Sequence, residues 1–146
     1  MQGAAVASRI GLGVALGIGS LFLLIPEQLL GLFGMTDPIV LELGTSLLRY
    51  LSVSGFFITV ALAYTGALQG TGDTRSPLVI SIVSQIIIPI GLCTVIQASR
   101  QLQAADVWSA IVLGHVTRCG LSVLRFRQGR WREIAVRSEE RRVERV

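Results

Sequence analysis

The stretch YLSVSGFFITVALAYTGALQGTG, Tyr50–Gly72, carries no charge between Arg49 and Asp73. A bilayer core of ~30 Å takes ~20 helical residues to cross, so this run is long enough to span one. Hydrocarbon offers no water to backbone N–H and C=O groups, and an unpartnered run of this length satisfies them as a helix rather than a strand. Working outward, three more runs read the same way. Ile10–Pro26 lies between Arg9 and Glu27, and its apolar face continues through Leu29, Leu30, Leu32 and Phe33; Ser76–Ser99 lies between Arg75 and Arg100; Val107–Leu124 is interrupted only by Arg118. The expectation is an all-α, polytopic transmembrane helix bundle. Its four spanning helices fall at about residues 9–30, 45–70, 76–99 and 106–126, within a membrane segment 1–136 that is followed by a charged tail, 137–146.

Composition supports that reading, since 51% hydrophobic residues against 15% charged ones is too apolar for an ordinary soluble domain. The charge is also segregated. Eight of the 13 arginines lie between Arg125 and Arg145, and with Glu133, Glu139, Glu140 and Glu144 they account for the whole net charge of +4. A basic cluster abutting an apolar span faces lipid headgroups, so nucleic acid is not an expected partner. Cytoplasmic flanks retain positive charge. The tail therefore lies inside, and counting back through four spans puts Arg9 and the Asp73/Arg75 loop inside too, with Glu27, Asp37 and Glu42 outside. Both termini are thus expected in the cytoplasm of a bacterial cell, the chain passing repeatedly through the inner membrane. Trp108 falls at the outer interface and Trp131 just past the inner one. The run after Arg9 lacks a small-x-small cleavage site and reads as a retained signal-anchor helix.

Several residues stand out within this frame. Asp37-Pro38 and Ser76-Pro77 read as helix starts, and Asp106 as a cap for the fourth helix. Ile39, Leu43, Leu47 and Leu51 share one face, so the helix opening at Pro38 begins in the interface. Gly13/Gly17 and Gly66/Gly70 are GxxxG spellings that let helix backbones approach. Pro89, near the middle of the third span, has no N–H for the Gln85 carbonyl and predicts a kink. Thr59, Tyr64, Gln85 and Pro89 are candidate cavity-lining residues. His115, one turn from Arg118, is a candidate for proton handling, because an ionisable group at membrane depth is expected to be functional; Arg118 is close enough to the inner interface to snorkel. No Asp or Glu lies within the four uncharged runs. Cys93 and Cys119 are too far apart for a metal or redox motif. No metal-ligand cluster, nucleotide loop or catalytic constellation is present, so neither an enzyme nor a bound cofactor is expected.

The segment GALQGTGDTRSPL, Gly66–Leu78, resembles the short cytoplasmic loop in the second half of multidrug and toxic compound extrusion (MATE) transporters, where bacterial members carry a G-x-GDTR-x-P pattern. The order around it is similar as well: a Gly/Leu-rich helix ending in Pro-Glu, then LLGLFGMTDP (Leu29–Pro38), LLRYL (Leu47–Leu51), the GDTR loop, a Pro-containing helix, and RFRQGRWRE (Arg125–Glu133). The resemblance covers about Arg9 to Val136. It implies the last four helices of a twelve-helix, two-lobe transporter, half of one lobe, that extrudes cationic or amphipathic compounds in exchange for H⁺ or Na⁺. Gly70, Gly72, Asp73, Thr74 and Arg75 match the family's loop, in which the glycines allow the turn while Asp73 and Thr74 cap the next helix near Arg75. The first lobe and the first two helices of the second, where the family places coupling carboxylates, have no counterpart in this chain.

The resemblance thus implies a fragment of an ion-coupled multidrug antiporter that is inactive alone and needs upstream helices or self-association. Its other partners are the lipid bilayer and, in the complete transporter, small xenobiotics. Two alternatives stand beside it: a small self-assembling membrane protein or non-transporting partner subunit, and a fragment of a lipid-linked saccharide flippase. The small multidrug resistance family has the right number of spans but requires a glutamate in the first, which this chain lacks.

Overall fold

A computed structural model describes residues 2–129; Trp131 and the tail 137–146 lie outside the described residues. Within them the chain is helical throughout: α1 (Gln2–Leu24), α2 (Pro26–Leu32), α3 (Pro38–Gly70), α4 (Arg75–Ile82), a π-helical turn (Val83–Ile87), α5 (Ile88–Ser99) and α6 (Ala104–Arg127). Four stretches are long and apolar enough to cross a membrane: Ala5–Leu24, Pro38–Gly70, Arg75–Ser99 and Ala104–Arg127.

The first span differs from the run expected at about 9–30. It begins near the N-terminus and stops at Leu24, because Pro26 lacks the N–H that would continue the ladder. Ile25 leaves helical geometry (φ −131°, ψ 46°), and Pro26 opens α2, a position where its missing donor is harmless. In α3 the Asp37 carboxylate accepts from the N–H groups of Ile39 and Val40 at 2.8 and 3.3 Å, as its Asp-Pro start predicts. The helix then runs unbroken for 33 residues, about 50 Å, which exceeds the hydrocarbon thickness and leaves its first turns beyond the core.

The ladder ahead of Pro89 is not the regular α-helical one. The Ile88 N–H reaches back five residues to the Val83 carbonyl, and in that register the carbonyl facing the missing proline donor is that of Ser84, not Gln85. At the start of α6 the cap is Gln103. Asp106 sits three residues in and accepts the Gln103 N–H at 3.0 Å, while Arg100 pairs with its other oxygen.

α3 is the central helix, with α1 on one side and α6 on the other, and α6 in turn packs on the third span. The close approaches are not at the GxxxG spellings. Added Cβ atoms at Gly13, Gly17, Gly66 and Gly70 would meet nothing, whereas one at Gly11 would collide with Thr59, and one at Gly114 with the Ser84 carbonyl. Gly114 thus lets α6 lie directly on the π-helical turn.

The interior is inverted relative to a soluble domain. Among the described residues the buried set is Leu30, Ala61, Leu68, Ile80, Ala110 and Phe126 on the apolar side, and Ser8, Ser52, Ser54, Thr65, Asp73, Ser84 and Ser122 on the polar side. Large apolar side chains such as Ile10, Leu24, Leu62, Ile90 and Val95 are more than half exposed. In lipid no hydrophobic force drives helices together, so small and hydroxyl-bearing residues form the seams while aliphatic ones face outward. This is a multi-pass membrane protein.

Candidate functional site

The turn between the second and third spans is built from the chain's most distinctive motif. Gly72 takes φ +89°, a left-handed conformation that L side chains resist. This lets the Gly72 N–H reach the Gln69 carbonyl at 3.0 Å and the Asp73 N–H reach the Leu68 carbonyl at 3.1 Å, closing α3 with paired backbone groups. Gly70 is still helical, and neither its conformation nor its surroundings require a glycine. Gly34, φ +74°, closes α2 through the same pair of bonds, from Gly34 to Gly31 and from Met35 to Leu30.

Asp73, released by that turn, has a side chain only 4% exposed. One of its oxygens accepts the Ser76 N–H at 3.1 Å and the other accepts the Ser76 hydroxyl at 2.8 Å. Thr74 makes no side-chain cap bond, so the capping expected of Asp73 and Thr74 together falls to Asp73 alone. The charge partner is not the neighbouring Arg75. Arg125, from the last turn of α6, donates through Nε to the Ser76 hydroxyl at 2.8 Å and approaches the Asp73 carboxylate at 3.4 Å. Burial pushes the Asp73 carboxyl up, but the bonds from Ser76 and the positive charge of Arg125 together outweigh it and hold the group below its ordinary value. The Asp73–Ser76–Arg125 clasp therefore ties the α3–α4 turn to the end of α6, placing both at one end of the molecule. Sequence reasoning did not pair Arg125 with Asp73; the only available signal was that both belong to the same expected side of the membrane.

Deeper in the spans, the side chains singled out from sequence are separated from one another. Gln85 and His115 do meet: the Gln85 amide nitrogen lies 3.2 Å from His115 Nδ1, joining the π-helical turn to α6. Tyr64 packs edge-on against Phe126, ring centroids 5.2 Å apart, beside Leu68 and Ala67. Thr59 lines a groove of about 420 Å³ between α1 and α3, together with Gly11, Gly19, Ser52 and Ser54. Pro89 lines a different one of about 470 Å³ between α5 and α6, with Cys93, Gln97 and Ile111. The four candidates thus do not converge on a single cavity of this chain. A hydroxyl bridge absent from the sequence reading, Thr65 to Ser122 at 3.3 Å, fastens α3 to α6, and both residues are buried.

At the opposite end, Tyr50 and Trp108 pack with centroids 5.7 Å apart, and the Tyr50 and Ser109 hydroxyls lie within hydrogen-bond distance at 3.3 Å. Aromatic rings with a polar edge belong at a membrane–water interface. No group of three or more metal-ligating side chains comes together among the described residues.

The comparisons with known proteins agree with this architecture. The chain is similar to the "Probable multidrug resistance protein NorM" of Thermotoga maritima, 28% identical over 124 residues, which is 85% of this chain and 26% of that protein. A protein of the same name from Deinococcus radiodurans is 29% identical over 126 residues, covering 81% of this chain and 28% of that one. The chain thus spans about a quarter of the length of the curated relatives it matches. No solved structure matches it. The MatE family profile matches residues 2–95, more than half the chain, from the first span through the Gly72 turn and past the π-helical turn of the third. With four apolar helices, an inverted interior and that continuous match, the chain belongs to the MatE family.

Proposed function

We propose that this chain is the closing four-helix part of an ion-coupled multidrug antiporter, one that exports cationic or amphipathic compounds in exchange for H⁺ or Na⁺, and that it does not transport alone. The observation carrying the proposal is the family match to proteins named for multidrug resistance, of which the chain covers only about a quarter. Two physical features support it. Coupling to an ion generally needs a carboxylate at membrane depth, and here Glu42 and Asp106 lie near helix starts while Asp73 is committed to the turn. The outward aliphatic faces also suit further helices packing against them. In this reading the clasp end, with the arginine-rich tail, faces the cytoplasm of a bacterial inner membrane, and the Tyr50–Trp108 end faces outward. The Gln85–His115 pair is the polar feature through which this part takes part in handling the coupling proton.

The test is efflux of a cationic dye from cells expressing either this chain or the same chain joined to the eight upstream helices of a relative. The joined form lowers dye accumulation in a proton- or sodium-dependent way, and the chain alone matches empty vector. Export by the chain alone overturns the claim of dependence. Absence of export from the joined form, with both proteins present in the membrane, overturns the transport reading itself.

A further inference from the structure

Beside the Gly72 turn, between the ends of α3, α4 and α6, lies a cavity of about 350 Å³. Its polar lining is Thr65 and Gln69 from α3, Thr74 and Arg75 at the start of the third span, Ser81 two turns on, and Arg118 from α6. Two arginines, three hydroxyl-bearing residues and a glutamine therefore line one space, the Thr65 hydroxyl being engaged by Ser122, and no carboxylate lines it. The nearest acid, Asp73, is engaged by Ser76 and Arg125, and the other described ion pair, Arg100 with Asp106, is at the far end. Neither Arg75 nor Arg118 has an ion-pair partner among the described residues.

Arg118 supplies the second observation. Its Nε is buried and has no hydrogen-bond partner. Buried donors are almost always matched, because an unmatched one keeps its full desolvation penalty. Arg118 lies seven residues before Arg125, ~10 Å of helix rise inward from the clasp. Arg118 lines the cavity at that depth without an ion-pair partner among the described residues, so its positive charge is left for an anionic occupant.

We propose that this cavity recognises a phosphate group, and that the group is the headgroup phosphate of an anionic phospholipid. A guanidinium fork matches phosphate oxygens in bidentate geometry, and flanking hydroxyls donate to those left over. Two positive charges with no acid among the lining residues select a net-negative lipid over a zwitterionic one. The proposal depends on the chain being membrane-embedded and is independent of whether it transports anything.

The experiment uses the full chain purified in detergent and native mass spectrometry to count retained lipid, with phosphatidylglycerol against phosphatidylcholine. Wild type retains phosphatidylglycerol preferentially. Arg118→Gln and Arg75→Gln each lower that retention about fivefold, the effect of removing one arginine from a headgroup contact worth ~1 kcal/mol. Arg9→Gln, which removes an exposed arginine of α1 away from the cavity, leaves it unchanged. Arg75 is exposed on the first turn of α4, so its variant remains informative if Arg118→Gln does not keep wild-type helicity by circular dichroism. Millimolar inorganic phosphate added as competitor separates the two sources: resistance to it supports a lipid occupant, and displacement supports the phosphate site with a soluble anion as its occupant. Equal retention of the two lipids, or equal losses in Arg9→Gln and the two cavity variants, overturns the proposal.

Discussion

Replacing Asp73 with alanine removes three acceptor interactions at once, and its cost follows from the geometry of the clasp. The Ser76 N–H loses its cap, worth ~1 kcal/mol, while the partly exposed Ser76 hydroxyl turns to water at little net cost. The contact with Arg125 is charge-assisted, nominally ~1.5–3 kcal/mol; at 3.4 Å, with Arg125 one quarter exposed and free to turn to water, about 1 kcal/mol is the appropriate share. Asp73→Ala should therefore destabilise the chain by roughly 2 kcal/mol, and Asp73→Asn, which keeps an acceptor for the cap, by roughly 1 kcal/mol. The assay is loss of helicity on titrating sodium dodecyl sulfate into mixed micelles, run as a double-mutant cycle. Asp73→Ala with Arg125→Gln should show a coupling of about 1 kcal/mol, whereas Asp73→Ala with Arg100→Gln, at the other end of the molecule, should be additive within ~0.5 kcal/mol. A loss below ~0.5 kcal/mol for Asp73→Ala, or no coupling to Arg125, refutes the clasp as the element joining turn and helix end.

Four further outcomes follow from the same structure. Because the folded Asp73 carboxyl titrates below its ordinary value of 3.8, its contribution is fully present above that pH and is lost as pH falls through the lowered value; unfolding midpoints of wild type should drop across that window, and Asp73→Asn should remove this component. Gly72→Ala, forced to φ +89°, should cost ~1 kcal/mol in the same titration, while Gly70→Ala, on a helical and open position, should be neutral or slightly stabilising. Gly114→Ala places a methyl against the Ser84 carbonyl and should cost ~1–3 kcal/mol by overpacking, whereas Gly17→Ala should be tolerated. The isolated chain, with aliphatic faces open on its surface, should self-associate in mild detergent; a sharp, cooperatively melting monomer on size exclusion would show those faces need no partner.

What could be read in advance was what depends on neighbours along the chain. The uncharged runs, the Asp37 cap and the turn at the GDTR motif are each decided within a few residues, by the absence of charge or by the chemistry of Asp and Gly, whereas the first span, expected to reach about residue 30, stops before Pro26. Features set by the rotation of one helix against another could not be read in the same way. Gly13 and Gly17 spell a packing motif, yet Gly11 and Gly19 are the glycines turned towards Thr59 and Ser52. Gly114, which belongs to neither GxxxG pair, receives the π-helical turn. Pro89 was visible as a disruption, but the one-residue shift of the missing bond from Gln85 to Ser84 depends on the turn widening, a response no local rule dictates. The candidate site was legible as a motif and not as a contact: Asp73 was singled out, while its partner Arg125, 52 residues later, became apparent only when α6 was laid against α3.

The account rests on four crossings, with the Gly72 turn on the arginine-rich side and the other two connections facing outward. Thiol labelling with a membrane-impermeant maleimide in intact spheroplasts tests it directly, in a Cys93→Ser/Cys119→Ser background carrying Thr36→Cys, Gln101→Cys or Thr74→Cys one at a time. Thr36→Cys and Gln101→Cys should label in intact cells, and Thr74→Cys only after the membrane is opened. Labelling of Thr74→Cys from outside, or of all three alike, would contradict it.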